Sequence, residues 1–433
     1  MLLFLRKAFF YLLIAAYAVV TPYAILYALG YLYNPIEREL VKTSLISIST
    51  VPRYATVFVE GKKFSERTPT VVRDLLPGQY RVRVTKKGYQ FWEKEIQIDP
   101  EKATQLEPIL LLPYRPEKEI LADRSYFQMI PTIIDSKIYA WDRESLDSLW
   151  KVDLFFKKET AVVNETPLPE ETKLLDFQYK QGSKMALLRI RVEDKRHRLA
   201  FVPTSKKTMI DLEPWLPKSP DLIDWDPKKP NQIYFLEAGQ LSRLDLRDEK
   251  VFPIARDILG FGVKRSRLYL LRKNYSLAET DYAGSNEEIL LKNQELGGKI
   301  FNQTEAQYYH IEVLESDLLL FLSDQGALLS NRLPYLFQQE GVRGIERSEG
   351  TQEDKVLFWT QQQIGVIDFT HEHEKEGLSE KELQVSRLIE SRQNIRQAFW
   401  AYGDSHILFL DGNQIFLAEA KGPQPYFVRK IDD

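Results

Sequence analysis

Trp225-Asp226-Pro227-Lys228-Lys229-Pro230-Asn231-Gln232-Ile233-Tyr234-Phe235 decides the fold. An aromatic closes one strand, a polar turn with two prolines follows, and a second strand of consecutive apolar residues opens at Ile233. Pro and Asn supply turn chemistry, and the uninterrupted apolar run fits a strand buried on both faces. The pattern recurs along the chain, pairing Ile130 with Ile138, Phe177 with Met185, Phe261 with Leu268, Ile311 with Leu318, Ile345 with Val356, and Trp400 with Ile407. The anchors lie 7 or 8 residues apart except in the sixth pair, which holds the polar insertion from Ser348 to Asp354. Successive second anchors fall at a mean interval of about 45 residues, the upper end of what a four-stranded propeller blade needs. Residues 118–433 are therefore expected to form a β-propeller, with seven blades leading and six or eight as the neighbouring counts. Radial repetition leaves only short, protected strand edges. A strand near Tyr426 to Ile431 is expected to close the ring beside one from residues 118–130.

Two repeats carry more than periodicity. Trp225-Asp226-Pro227 before Ile233-Tyr234-Phe235, and Trp400-Ala401-Tyr402-Gly403-Asp404-Ser405 before Ile407-Leu408-Phe409, resemble blades of the TolB or WD40-like kind. One segment interrupts the pattern. Ser379-Glu380-Lys381-Glu382 has the form of a capping box, and Leu383, Leu388 and Ile395 follow it, so a helix is expected over about 379–392.

Ahead of the repeats, residues 43–113 read as a small β-sandwich. Ser44 to Val51, Thr56 to Glu60 and Tyr80 to Thr85 alternate apolar with polar residues, the mark of one buried and one wet face. Ile96 and Ile98 open a further strand and Leu106 to Leu112 a last one, while Glu60-Gly61-Lys62, Pro77-Gly78 and Lys87-Gly88 are turns. Pro52-Arg53-Tyr54-Ala55, Val57-Phe58-Val59-Glu60-Gly61, Thr68-Pro69, Leu76-Pro77-Gly78-Gln79-Tyr80 and Gly88-Tyr89-Gln90-Phe91-Trp92 resemble the PEGA domain in order and spacing. Arg53 and Tyr54 depart from it, standing where small residues are usual. The resemblance implies a cell-envelope module and a location more than an activity. Trp92 is expected to be a buried packing residue, with stacking on a sugar as the alternative.

From Ala8 to Ile36 the chain carries no charged side chain, with Arg6 and Lys7 before the run and Glu37, Arg38 and Glu39 after it. Residues 1–40 are expected to hold a membrane anchor spanning about 8–33, since a bilayer needs about 20 apolar residues. A cleavable signal with Ala16-Tyr17-Ala18 as its site is the alternative, but the apolar character continues through Val19, Val20, Ile25, Leu26 and Leu29. Tyr27, Tyr31 and Tyr33 fall where an interfacial aromatic belt would sit, and the positive N-terminal flank predicts a cytoplasmic N-terminus and an extracytoplasmic body at the cell membrane. The order of anchor, PEGA-like module and WD40- or TolB-like repeat domain is similar to a bacterial envelope family of single-pass membrane proteins. The chain has no cysteine, so neither disulfides nor Cys-based metal sites are open to it. With 59 basic against 62 acidic residues, it makes no electrostatic case for nucleic acid.

Chemistry is harder to find. The sequence lacks a G-x-S-x-G elbow, a phosphate-cradling loop, an H-E-x-x-H helix and a calcium loop, so no catalytic, metal or cofactor residue is assigned. Five histidines leave few general bases. His371-Glu372-His373 would aim two imidazoles one way from an extended segment, yet a metal wants at least a third ligand. Asp224 with Asp226 could face a propeller channel as a glycosidase pair, against the plainer reading of turn and blade-end residues. Lys195-Arg196-His197-Arg198 reads as a hairpin tip with some suitability for an anionic polymer. Candidate partner contacts are thus Lys195, Arg196, Arg198, His371 and His373. The expected function is membrane-anchored recognition or scaffolding, with the propeller binding a protein or a cell-surface glycan. A hydrolase or lyase acting on envelope polysaccharide and a structural assembly subunit are the alternatives.

Overall fold

The computed structural model describes residues 2–432 except 36–37, 115–125, 127, 133–136, 142–148, 154–157, 163–171, 181–182, 194, 203–208, 265, 293–300, 302–304, 316–317, 333–337, 349–354, 376–377, 392 and 421–427. The Ser348–Asp354 insertion, apart from Ser348, and the linker after Tyr114 lie outside the described residues. The fold is mainly β, with one long helix at Leu2–Ala28. It divides into two compact units: Met1–Glu117 with Ser348–Val366 and Ser386–Asp433, and Lys118–Arg347 with Ile367–Val385.

In the first unit the helix runs 27 residues, and its stretch Phe9–Ala28 has a mean hydropathy of 2.0 with no part buried in protein. Twenty residues at about 1.5 Å each match a hydrocarbon core of about 30 Å, so the helix is long and apolar enough to cross a membrane. It ends earlier than the expected span to residue 33. Gly30 takes a left-handed φ of 80° and donates to the Tyr27 carbonyl at 3.0 Å, a helix stop that suits glycine. Tyr31–Asn34 then leaves as a strand paired antiparallel with Glu39–Lys42.

The sandwich follows immediately. One sheet orders Thr70–Leu75, Ser44–Val51 and Ala103–Leu110; the other orders Lys62–Arg67, Thr56–Val59, Gly78–Thr85 and Trp92–Ile98. Alternation places Ile46, Ile48, Val57, Val82, Val84, Ile96 and Ile98 in one core, all fully buried. Each such side chain contributes about 1.5–3 kcal/mol. Trp92 belongs to this core, as expected, and its indole N–H has a use outside it.

That N–H donates to Glu419 Oε1 at 2.7 Å, and Lys94 Nζ, on the same strand face, reaches Glu419 Oε2 at 2.9 Å. Arg429 adds contacts to Gln90 Oε1 and the Phe91 carbonyl. Glu419 and Arg429 belong to the last sheet, within 395–432, whose other face packs Ala398, Ile407, Phe409 and Ala418 against Leu357, Ile364, Val366 and Ile389. The sandwich and the last sheet are therefore joined through a buried, fully partnered charge.

Four-stranded sheets over 128–161, 173–211, 222–255, 344–390 and 395–432 fill the rest, together with one eight-stranded sheet in which the four-stranded runs 258–291 and 309–339 join through their first strands. Each repeat pair of the sequence brackets the first and second strands of one sheet, and Trp225 with Ile233 and Trp400 with Ile407 are direct cross-strand partners. Within the second unit the apolar second strands explain themselves. Ala186, Leu188 and Ile190 face the sheet before theirs, whereas Met185 and Leu187 at the strand start face the sheet after. Ile233 and Phe235 pack backwards while Tyr234 and Leu236 pack forwards, and Leu268 and Leu270 alternate with Tyr269 and Leu271 in the same way. A strand sandwiched between two sheets must be apolar on both faces. In the eight-stranded sheet the first strands of the two runs pair directly, Ile258–Lys264 parallel to Tyr309–Glu315. Here Gly260 and Gly262 leave no room for a side chain, because a Cβ would overlap the Tyr309 and Ile311 carbonyl oxygens.

The expected helix over 379–392 is not formed. Leu378–Glu390 is a thirteen-residue strand beside Gln363–Lys375. The capping box is a local preference of about 1 kcal/mol, and pairing with a strand that buries Ile364, Val366, Ile367 and Phe369 outweighs it. The spacing was also poor, since residues five apart, such as Leu383 and Leu388, lie about 140° apart on a helix.

Candidate functional site

Along the edge of the second unit where first strands meet, charged side chains converge from separate sheets. Lys180 follows the strand Lys173–Tyr179, Asp224 sits on Leu222–Trp225, and His310 and Glu312 alternate along Tyr309–Glu315. The parallel pairing that seats Phe261 beside His310 fixes the imidazole at this edge. Asp224 is buried, and its Oδ1 accepts both the Trp225 backbone N–H at 2.8 Å and an ion pair from Lys180. Its Oδ2 has no hydrogen-bond partner, and His310 Nδ1 stands 3.7 Å away. The other ring nitrogen, Nε2, lies 3.7 Å from Glu312 Oε2. Those distances are charge contacts longer than a hydrogen bond. An orphan oxygen of this kind costs about 1–3 kcal/mol.

Lys180, His310 and Glu312 keep 28, 24 and 30% of their side chains accessible, so the cluster can be reached. Burial pushes the Glu312 carboxyl up, but the nearby His310, together with the Lys180 and Arg347 charges, outweighs it and holds the group below the ordinary carboxylate range. Glycosidase chemistry needs one carboxyl kept protonated by a raised pKa. Glu312 is tuned the opposite way. Among the described residues no group of three or more His, Asp and Glu is placed to hold a metal ion.

Asp224 and Asp226 do not act together. Asp226 caps the turn after Trp225 by accepting the Lys228 N–H at 2.9 Å, and it accepts the Tyr282 hydroxyl and, at 3.4 Å, the Ser266 N–H of the next sheet. Burial and that carboxylate raise Tyr282 above its ordinary value. Asp226 is a tie between sheets; Trp225 makes another, its indole N–H donating to Ser183 Oγ at 2.8 Å.

The basic run starts the strand Lys195–Phe201, which pairs antiparallel with Ala186–Val192 and leaves Lys195 and Arg196 exposed. Arg198 is committed to Glu213, with Nε at 2.9 Å from Oε1, and to the Pro217 carbonyl at 2.7 Å. His371 and His373 lie in the strand Gln363–Lys375, and their side chains lie outside the described residues. Sequence reading missed Lys180, His310 and Glu312, although Asp224 and His310 each stand one residue before the first anchor of their repeat.

Solved structures with a broadly similar course include YCF48 bound to D1 peptide, at 10% identity over 74% of this chain and 97% of that one, TM-score 0.35. PorZ, a surface component of the type-IX secretion system of Porphyromonas gingivalis, follows at 11% over 72% of this chain and 38% of its own, TM-score 0.36. Hsv2 of Kluyveromyces lactis stands at 8% over 69% and 95%, TM-score 0.39. Likeness this distant says nothing about what the chain binds. No curated protein matches it. At the level of sequence families, residues 43–110 match the PEGA domain.

Proposed function

We propose that this chain is a single-pass membrane protein of the cell envelope whose repeat sheets close into a seven-bladed propeller, and that it works by recognition rather than catalysis. The supporting observation is the first-strand edge: accessible charges of both signs, drawn from different sheets, with one buried carboxylate oxygen left without a donor. Mixed charge on a rigid scaffold suits the charged side chains of a polypeptide, and the charges of His310 and Lys180 beside Glu312 hold its carboxyl below the ordinary carboxylate range. The apolar helix supplies the anchor, the basic N-terminal flank favours an extracytoplasmic body, and the PEGA-like sandwich carries the propeller.

Affinity capture with the full chain in detergent, read out for proteins and for glycans, tests this reading. A protein partner held by the wild type and lost by Lys180→Ala with Glu312→Gln is the expected result. Turnover of envelope polysaccharide abolished by the same pair would overturn it in favour of the hydrolase.

A further inference from the structure

The hairpin that follows the helix is unusual in where it leaves its apolar side chains. Tyr33 and Leu40 are direct cross-strand partners, so they share one face, and they are 55% and 49% exposed. Leu29, between helix and hairpin, is 62% exposed. The hairpin is not a loose excursion. Its two ends are tied where the helix stops, with Thr43 donating to the Gly30 carbonyl from its backbone N–H at 2.7 Å and from its hydroxyl at 3.0 Å. Tyr27, on the last turn of the helix, donates to Asp74 of the sandwich at 3.3 Å, and Lys42 Nζ meets Glu101 at 3.1 Å.

From these facts we infer that the Tyr31–Lys42 hairpin is a membrane foot: its Tyr33–Leu40 face lies in the headgroup region of the bilayer that the helix crosses, and so sets the tilt of the sandwich. The inference rests on the reading of the helix as an anchor. Once Phe9–Ala28 fills a hydrocarbon core of about 30 Å, Leu29 and the hairpin base must enter the interfacial layer, which is only about 5–8 Å deep on each side. Strand residues rise about 3.3 Å each, so Tyr33 stands within about 10 Å of Gly30. A tyrosine with an apolar body and a polar tip is at home at that depth, and the adjacent leucine gains by burial there. Arg38 is flanked by Glu37 and Glu39 and Lys42 is paired with Glu101, so it is the apolar Tyr33–Leu40 face, and not charge, that favours the interface.

Because the chain has no cysteine, single-site spin labels test the inference on the full-length protein in vesicles of phosphatidylcholine with phosphatidylglycerol. Labels would be placed at Tyr33→Cys and Leu40→Cys, at Val19→Cys in the helix, and at the exposed Tyr54→Cys of the sandwich, and collision with a water-soluble nickel chelate compared with oxygen. For a foot resting about 5–10 Å into the interface, chelate collision at 33 and 40 falls at least about threefold below that at 54. Position 19 should be more deeply shielded still. Chelate access at 33 and 40 equal to that at 54, with 19 shielded, overturns the foot and leaves the anchor standing. Free access at 19 overturns both.

Discussion

Two regions bury charge in this molecule and treat it differently. Where the sandwich meets the last sheet, Glu419 is met by Trp92 at one oxygen and Lys94 at the other, and Lys94 keeps only 4% of its side chain accessible. At the first-strand edge, Asp224 has one oxygen satisfied and one orphaned, beside a histidine too far for a hydrogen bond and a glutamate that stays partly accessible. A closed charge acts as a structural tie. An incompletely partnered charge costs stability in the free protein, and such a cost persists where binding repays it. The contrast separates a carboxylate that ties the sandwich to the last sheet from one whose second oxygen is left without a donor.

Glu419→Ala attacks the closed side and carries the largest expected effect. It removes the carboxylate that the buried Lys94 ammonium and the Trp92 N–H share, which should cost about 3–5 kcal/mol in denaturant unfolding. The loss ought to appear even though the substituted residue lies in a strand near the end of the sequence. A change below about 1 kcal/mol would mean that the tie is screened or rearranged.

The same junction has a pH signature. His406, the cross-strand partner of Glu419, has its pKa lowered from 6.5 chiefly by burial, with the Glu419 charge opposing that shift. A histidine held neutral in the folded state contributes stability that is present above pH 6.5 and lost as pH falls through its depressed folded value, because the unfolded chain takes up the proton first. Unfolding free energy should therefore drop on going below pH 6.5. His406→Gln should flatten that drop; an unchanged slope would assign it to other groups.

A smaller effect sharpens the comparison from within the sandwich. Tyr54 adopts a left-handed φ of 66°, is 66% exposed, and its backbone N–H donates to the Thr68 carbonyl at 2.8 Å. Tyr54→Gly relieves the backbone cost and should raise stability by about 1 kcal/mol in the same unfolding assay. A loss instead would show that the tyrosine ring contributes packing there.

Much of the architecture was legible because it rests on burial. Ser44 to Val51 and Tyr80 to Thr85 alternate, and the second strands from Ile233 and Leu268 are continuously apolar, since their surroundings leave no choice. The strands Lys62–Arg67 and Thr70–Leu75 were passed over; the first is an exposed edge with little apolar alternation. Leu378–Glu390 misled for a different reason, because a local cap signal competes with pairing that only the folded neighbours reveal. The charge clusters were the least visible. Glu419 and Trp92 lie far apart in sequence, as do Lys180, Asp224 and His310, and no spacing rule links residues that a repeat fold brings together. Asp226 could be read as a turn residue from Trp-Asp-Pro alone, whereas Asp224 meets Lys180 and His310, which come to it from other strands far away in sequence.

The most direct test of this division compares the two carboxylates by thermal unfolding of the full chain under one buffer. Asp224→Asn keeps an acceptor for the Trp225 N–H and puts a donor at the orphan position, which offsets part of the lost charge pairing with the partly accessible Lys180, so it should lower the melting temperature by far less than Glu419→Ala, which lowers it by several degrees. Equal losses from both substitutions would contradict the account, because the first-strand cluster would then be a structural tie like the junction and not a site held open for a partner.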